Sequence, residues 1–266
     1  MRIAHLSDLH VLSFEGVGKH RFLNKRLTGY ANLRFKRNHV HRKHYVEAIA
    51  KEIAKDRIDH VVVTGDLTNL ALEPEFQAVR DLLEKDLGLH PDQVSVVPGN
   101  HDLYTSGAMR SRRFTKYFAE YIRSDLPELA ADTDLGAFPF VRLRGPCAII
   151  GLTTAVPRLP LVASGKVGKL QLEAFGKILA HEEVRKRTPV VLIHHPLHNP
   201  PSKLKTLVEG LTDADELAAH LHRAVTTDGL VLHGHLHRRQ SKDLSSARAG
   251  IKVVGATSAS LHHENG

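Results

Sequence analysis

The chain has 266 residues, 42% of them hydrophobic and 25% charged, which allows a real core in one large α/β domain or two small ones. No apolar run approaches the roughly 20 residues that span a bilayer, and the opening MRIAHLSDLH lacks the basic-then-apolar order of a cleaved leader. A single cysteine, Cys147, excludes an internal disulfide and suits a reducing cytosol, while a net charge of +8 favours anionic partners.

In chain order, RIAHLS reads as a short buried strand. Val46, Ile49, Ala50, Ile53 and Ala54 recur at helical spacing, and the β-branched run HVVVTGD (60–66) follows as a second strand. Pro74 suits a helix start, with Phe76, Val79 and Leu83 on one face. QVSVVPGN gives a third strand, and VRLRGPCAIIGL a pair of strands turning at Gly145-Pro146. Leu172, Phe175 and Leu179 mark a helix, as does DADELAAHLHRAV, between and after which PVVLIHHP, GLVLHGH and GIKVVGATS read as strands. Strands alternating with helices predict mostly parallel sheets covered by helices, in one domain.

Polar residues gather where these strands end. The first strand runs into Ser7-Asp8-Leu9-His10, the second into Gly65-Asp66, and the third into Gly99-Asn100-His101-Asp102. Two later ones run into His194-His195-Pro196 and Gly234-His235-Leu236-His237. Each alone reads as an ordinary turn, or for GHLH as an even choice between turn and site. In parallel α/β sheets, however, ligands bind outside the carboxyl ends of strands, so five such ends would share one rim. Two carboxylates, an amide oxygen and four imidazoles form a mixed oxygen and nitrogen donor set that suits Mn, Fe, Co or Zn. A pair of such ions can clamp both oxygens of an in-line phosphoryl displacement.

The ordered set D-x-H, GD, GNHD, H and GHxH, running from Asp8 to His237, strongly resembles the calcineurin-like metallophosphoesterases. The resemblance implies an α/β fold: a two-sheet β-sandwich flanked by helices in four α/β/β/α layers, with a dinuclear site at the strand ends. Carried over by position, it implies one metal held by Asp8, His10 and His237 and another by Asn100, His194 and His235, bridged by Asp66. Strand alternation does not choose between His194 and His195; the family pattern places the ligand at His194. Manganese is the favoured ion. A hydroxide generated at the metal pair is expected to attack phosphorus, with His101 protonating the leaving oxygen and either Asp102 or its neighbour's backbone orienting that imidazole. Two divalent ions carry four positive charges; Asp8, Asp66 and a hydroxide cancel three. About one remains to attract a phosphate ester.

Residues 19–44 form a cap-like basic insertion. Leu23, Leu27, Tyr30 and Ala31 share a helical face, and nine lysines and arginines lie between Glu15 and Glu47 with no acidic residue. One reading is a solvated surface cap; the other is contact with substrate or with an anionic membrane surface. The resemblance favours the cyclic-nucleotide phosphodiesterase group and hence a small phosphodiester substrate. The alternative is a hydrolase of the pyrophosphate in a nucleotide-linked glycolipid of the UDP-diacylglucosamine type. A non-catalytic binding scaffold is the reading from another class, and the complete motif set argues against it. Nucleic acid is not an expected partner. The expected location is cytoplasmic, with room for attachment to the inner face of a membrane.

Overall fold

The computed structural model describes residues 1–18, 21, 26, 43–159, 161–245 and 250–261. The amphipathic face expected in the basic insertion therefore lies outside the described residues, apart from Arg21, Arg26 and the start of the helix at Lys43.

The strands are β1 (Ile3–Leu6), β2 (His60–Thr64), β3 (Val94–Val97), β4 (Ala131–Thr133), β5 (Gly136–Phe138), β6 (Phe140–Arg144), β7 (Cys147–Gly151), β8 (Thr188–Leu192), β9 (Gly229–His233), β10 (Gln240–Ser245) and β11 (Gly250–Gly255). The helices are α1 (Lys43–Lys55), α2 (Glu73–Asp81), α3 (Ser106–Arg110), α4 (Arg113–Phe118), α5 (Lys169–Ala180), α6 (Glu182–Arg185), α7 (Lys203–Glu209) and α8 (Ala214–Ala224). Two sheets carry the fold. The smaller has the order β1-β2-β3 and is parallel throughout, with Ile3 opposite His60 and Val61 opposite Val94. The larger has the order β10-β11-β9-β8-β7-β6; its four central strands are parallel and its two edges antiparallel.

Side-chain alternation explains how the layers stack. In the large sheet, Phe140, Ile149, Val190, Leu192 and Leu232 join one core with the β2 and β3 valines and with Val46, Ala50, Phe76 and Val79 of α1 and α2. Their neighbours Val141, Ile150, Val191, Ile193 and Val231 join a second core, with Leu172, Phe175 and Ile178 of α5 and Leu217 and Leu221 of α8. Each buried Val, Leu, Ile or Phe among them contributes roughly 1.5–3 kcal/mol. The result is the expected succession of helices, small sheet, large sheet and helices.

Several elements depart from the sequence expectation by being present at all. β10 (QSKDLS) has no apolar periodicity because it is an edge strand whose middle residues are exposed. The short β4–β5 hairpin and α3, α4 and α7 are likewise too brief to show a period.

Candidate metal centre

Because β1, β2 and β3 run parallel, their carboxyl ends meet at one rim, and those of β8 and β9 meet it from the other sheet. Backbone bonds lock the loops together there. Asp8 N donates to Gly65 O at 3.0 Å, His10 N to Asp66 O at 2.9 Å, and Gly234 N to His194 O at 3.1 Å. Across the sheets, the amide of His235 donates to the Asp8 carboxylate at 3.1 Å. Ser258, just after β11, donates through its hydroxyl to Asp8 O at 2.6 Å.

The motif glycines make this closeness possible. A Cβ on Gly99 would overlap the Asp66 carboxylate, and one on Gly234 would overlap Ser7 Oγ and the Asp8 carboxylate. The other motif residues absorb the tight turns themselves. Asp8, His10, Asp66, His235 and His237 all hold φ between 45° and 69°, a left-handed conformation costing on the order of 1 kcal/mol for each non-glycine residue. Five such residues on one rim mark a place where geometry is kept at the expense of stability.

The rim brings the sequence-predicted residues together in two groups. In one, His237 Nε2 lies 3.2 Å from Asp8 Oδ1 and 3.2 Å from His10 Nε2. In the other, His194 Nε2 lies 3.4 Å from Asp66 Oδ2 and 3.2 Å from Asn100 Oδ1, with His235 completing the cluster. Asp66 reaches toward both, since its Oδ2 is also 3.8 Å from His10 Nε2.

Backbone carbonyls set the tautomers, because a carbonyl can only accept. His194 Nδ1 donates to Thr64 O at 2.7 Å, which turns Nε2 toward Asp66 and Asn100. His235 Nε2 donates to Glu209 O at 2.9 Å and keeps Nδ1 for the centre. Such carbonyl partners are the usual way a ligating imidazole is oriented. His195 is different: Nδ1 meets Thr154 Oγ1 and Nε2 meets Ala163 O, both at 2.8 Å, so both nitrogens are engaged away from the rim. The reason lies in β8. Continuing its alternation, position 194 points with Val190 and Leu192 toward the small sheet, and position 195 with Val191 and Ile193 toward the helices.

His101 stands at the edge of the centre. Its ring lies 4.9 Å from that of His10, and its amide donates to Asp66 Oδ1 at 2.8 Å. The structure corrects the expectation for Asp102. Its carboxylate turns back under the loop and accepts from the amides of Leu67, Thr68 and Gly99 and from the Thr68 hydroxyl. The ring of His101 is positioned instead by Asn69, whose carbonyl accepts from Nδ1 at 2.8 Å. Asn69 also donates to the carbonyl of His10. Neither Asn69 nor Tyr104, whose ring stacks on His101 at 5.6 Å, belongs to a motif that singles it out in the sequence.

Electrostatics follows the same grouping. Burial alone would raise Asp8 and Asp66, but facing imidazoles outweigh it: His237 and His194 hold Asp8 below the usual range, and His194, His101 and His10 hold Asp66 well below it. Burial would likewise lower His194, yet Asp66 and Asp8 pull it up to about 9. His235 goes the other way, pushed down to about 4 by loss of water and by His194. Buried carboxylates that stay ionised beside inward-facing imidazoles form a donor set that fits divalent cations, and a cation bound there would displace the proton that Asp66 and Asp8 hold on His194.

A two-sheet α/β fold with oxygen and nitrogen donors at converging strand ends is that of the metal-dependent phosphoester hydrolases. The chain belongs to the calcineurin-like phosphoesterase family, whose model matches residues 1–239. Members of that family bind two divalent metal ions, and the Asp and His clusters here fit such a site. Among solved structures, a dimetal phosphatase from Danio rerio has a TM-score of 0.62 at 13% identity, covering 99% of this chain and 89% of that one. Purple acid phosphatase PPD1 from yellow lupin seeds also reaches 0.62, at 14% identity, with 98% of this chain and 44% of that one covered. At these identities the likeness is one of fold. No curated protein matches the sequence.

Proposed function

We propose that the protein is a dinuclear metal-dependent phosphodiesterase acting on a small-molecule diester, with cyclic nucleotides as the leading candidates. The observation that carries the dinuclear part is Asp66, whose Oδ2 stands 3.4 Å from His194 Nε2 and 3.8 Å from His10 Nε2, between the two clusters. Asp8, His10 and His237 would hold one ion, and Asn100, His194 and His235 the other, with Asp66 serving both. The bound pair supplies positive charge and a nucleophile at neutral pH. Asn100 supplies an oxygen without a charge, so the loaded centre keeps attraction for a phosphate ester; a carboxylate there would cancel it. With its Nδ1 proton committed to Asn69, His101 presents Nε2 from the other side of the ring for a proton to the departing oxygen.

Manganese is the favoured ion, within a donor set that also suits Fe, Zn and Co. Among the described residues no helix is long and apolar enough to cross a membrane. Contact with an anionic membrane rests on the charge pattern of residues 19–44 alone, and flotation with anionic vesicles at low salt tests it.

The deciding experiment is hydrolysis of bis-p-nitrophenyl phosphate by metal-loaded protein, followed by a panel of cyclic nucleotides, phosphomonoesters and a UDP-linked glycolipid. The expected result is manganese-dependent diester cleavage that a chelator abolishes. Inactivity with all four metals would sink the enzymatic reading, and a preference for monoesters would sink the phosphodiesterase one.

A further inference from the structure

Beside the metal centre lies a second feature that the proposed chemistry does not use. A recess of about 500 Å³ is lined by Arg21, Arg26, Arg110, Arg113 and Arg158, together with Tyr104. Its described lining contains five guanidiniums and no carboxylate. Glu73 lies just outside the lining and pairs with Arg21 at 2.7 Å and Arg113 at 2.8 Å. Among the described residues, five guanidiniums against that one carboxylate leave the cluster with an excess of positive charge.

Two of the cations, Arg26 and Arg113, are held in place by backbone carbonyls. Arg26, 4% exposed, donates through Nε to Leu70 O at 2.8 Å and through Nη2 to Ala71 O at 3.1 Å. Arg113 donates to the same Ala71 carbonyl at 2.9 Å. Two guanidiniums thus converge on one oxygen, and Ala71 itself sits at φ 53° to present it. Burial and the nearby Arg113 and Arg21 lower Arg26 to about 10, which leaves it charged at neutral pH. Like charges brought together out of water repel, and an anion seated among them relieves that repulsion. Arginine forks are suited to phosphate oxygens.

The recess is joined to the reacting centre by one side chain. Tyr104 lines it and stacks on His101, which stands against His10 and Asp66. We propose that this arginine recess binds a second phosphate group carried by the same substrate whose first phosphate meets the metal centre. The preferred substrate class is therefore a bisphosphorylated or pyrophosphate-linked ester. The inference rests on the phosphoesterase reading of the metal centre and ranks substrates with two phosphates ahead of the cyclic nucleotides, which carry one.

Calorimetry on the metal-loaded full chain tests it with ligands that have no hydrolysable bond. Propylphosphonate offers one phosphoryl group; propane-1,3-diyl bisphosphonate offers two. The bisphosphonate is expected to bind about tenfold more tightly, the equivalent of one charge-assisted contact. Arg110→Gln combined with Arg158→Gln should erase that advantage. Should the double variant lose its fold, because Arg158 Nε donates to Ser164 O, Arg110→Gln alone should reduce the advantage at least twofold. An advantage below threefold in the unaltered protein, or one that the variants leave intact, overturns the assignment. Inorganic phosphate binding at two sites per chain, one of them lost in the variants, would assign the recess to a free anion and overturn it too. Binding is read without turnover, so inactivity on bis-p-nitrophenyl phosphate refutes the enzymatic reading separately from this one.

Discussion

Four carboxyl groups are buried in and behind the rim, and the two regions that hold them treat them oppositely. Asp8 and Asp66, at the ends of β1 and β2, face imidazoles and stay ionised despite burial. Asp102 and Glu75, one layer back, face mainly backbone amides. Burial, with the Asp66 charge adding to it, raises Asp102 to about 7, and burial raises Glu75 to about 8. All four are 2% exposed or less, so burial does not separate them. Neighbours do. A carboxylate surrounded by nitrogens that can share a cation is prepared for metal chemistry. One that accepts from loop amides ties the loops that aim the first pair.

The contrast is tested most severely at Asp66. Asp66→Asn keeps the shape but removes the charge shared by both clusters. Diester hydrolysis should fall by about 10³-fold or more, and metal analysis should show less than two ions per chain. Full metal content with near-normal turnover would break the division into two kinds of carboxyl. Next in size is His101, which touches the first region through Asp66. His101→Ala should lower kcat by about 10²-fold while both metals stay bound, because the ring is assigned to proton transfer. Activity near that of the unaltered protein on a poorly activated ester would remove that role.

Asp102→Asn probes the second region. Each Asp102 oxygen accepts from at least one backbone amide: Oδ2 from Leu67 and Gly99, Oδ1 from Thr68. An amide NH2 in either place would oppose a donor with a donor. The expected loss is about 2 kcal/mol in denaturant unfolding, with metal binding retained and the pH profile of turnover unchanged in shape. A profile that loses a limb would return Asp102 to the orienting role that its place in the sequence suggests.

That misplacement shows what sequence can and cannot say here. The strand ends were legible because parallel strands must deliver their terminal side chains to one rim, so five motifs in order point to one site. Adjacency was a poor guide within a motif: the Gly99 turn carries Asp102 beneath the loop while His101 remains above it. The choice between His194 and His195 was open because both faces of β8 are apolar. It is resolved only when one face is known to meet the small sheet, a contact between distant segments. Asn69 and Tyr104 act through a carbonyl and a ring face, and neither leaves a mark in residue type. The arginine recess draws on positions 21, 26, 110, 113 and 158, whose common address exists only after folding.

Glu75 offers the cleanest test, because it lies away from the proposed ligands. Its Oε2 accepts from the amides of Leu70 and Leu72, both at 3.0 Å, while Oε1 is buried without a hydrogen-bond partner. Its folded-state value of about 8 lies above the ordinary 4.5, so the folded chain binds a proton that the unfolded chain releases. Stability from this group is therefore complete below about pH 4.5, declines as pH rises between 4.5 and 8, and is gone above that. Glu75→Gln keeps an oxygen for the two amides, places the NH2 where Oε1 stood, and never ionises. Its stability relative to the unaltered protein should rise with pH across that window, by on the order of a few kcal/mol between pH 5 and 8.5 in urea unfolding. A difference that stays flat would mean that Glu75 is ionised in the folded chain. Glu75 would then join Asp8 and Asp66 as a carboxylate whose charge is stabilised, and nearby Arg26 is the group that would have to supply the balance.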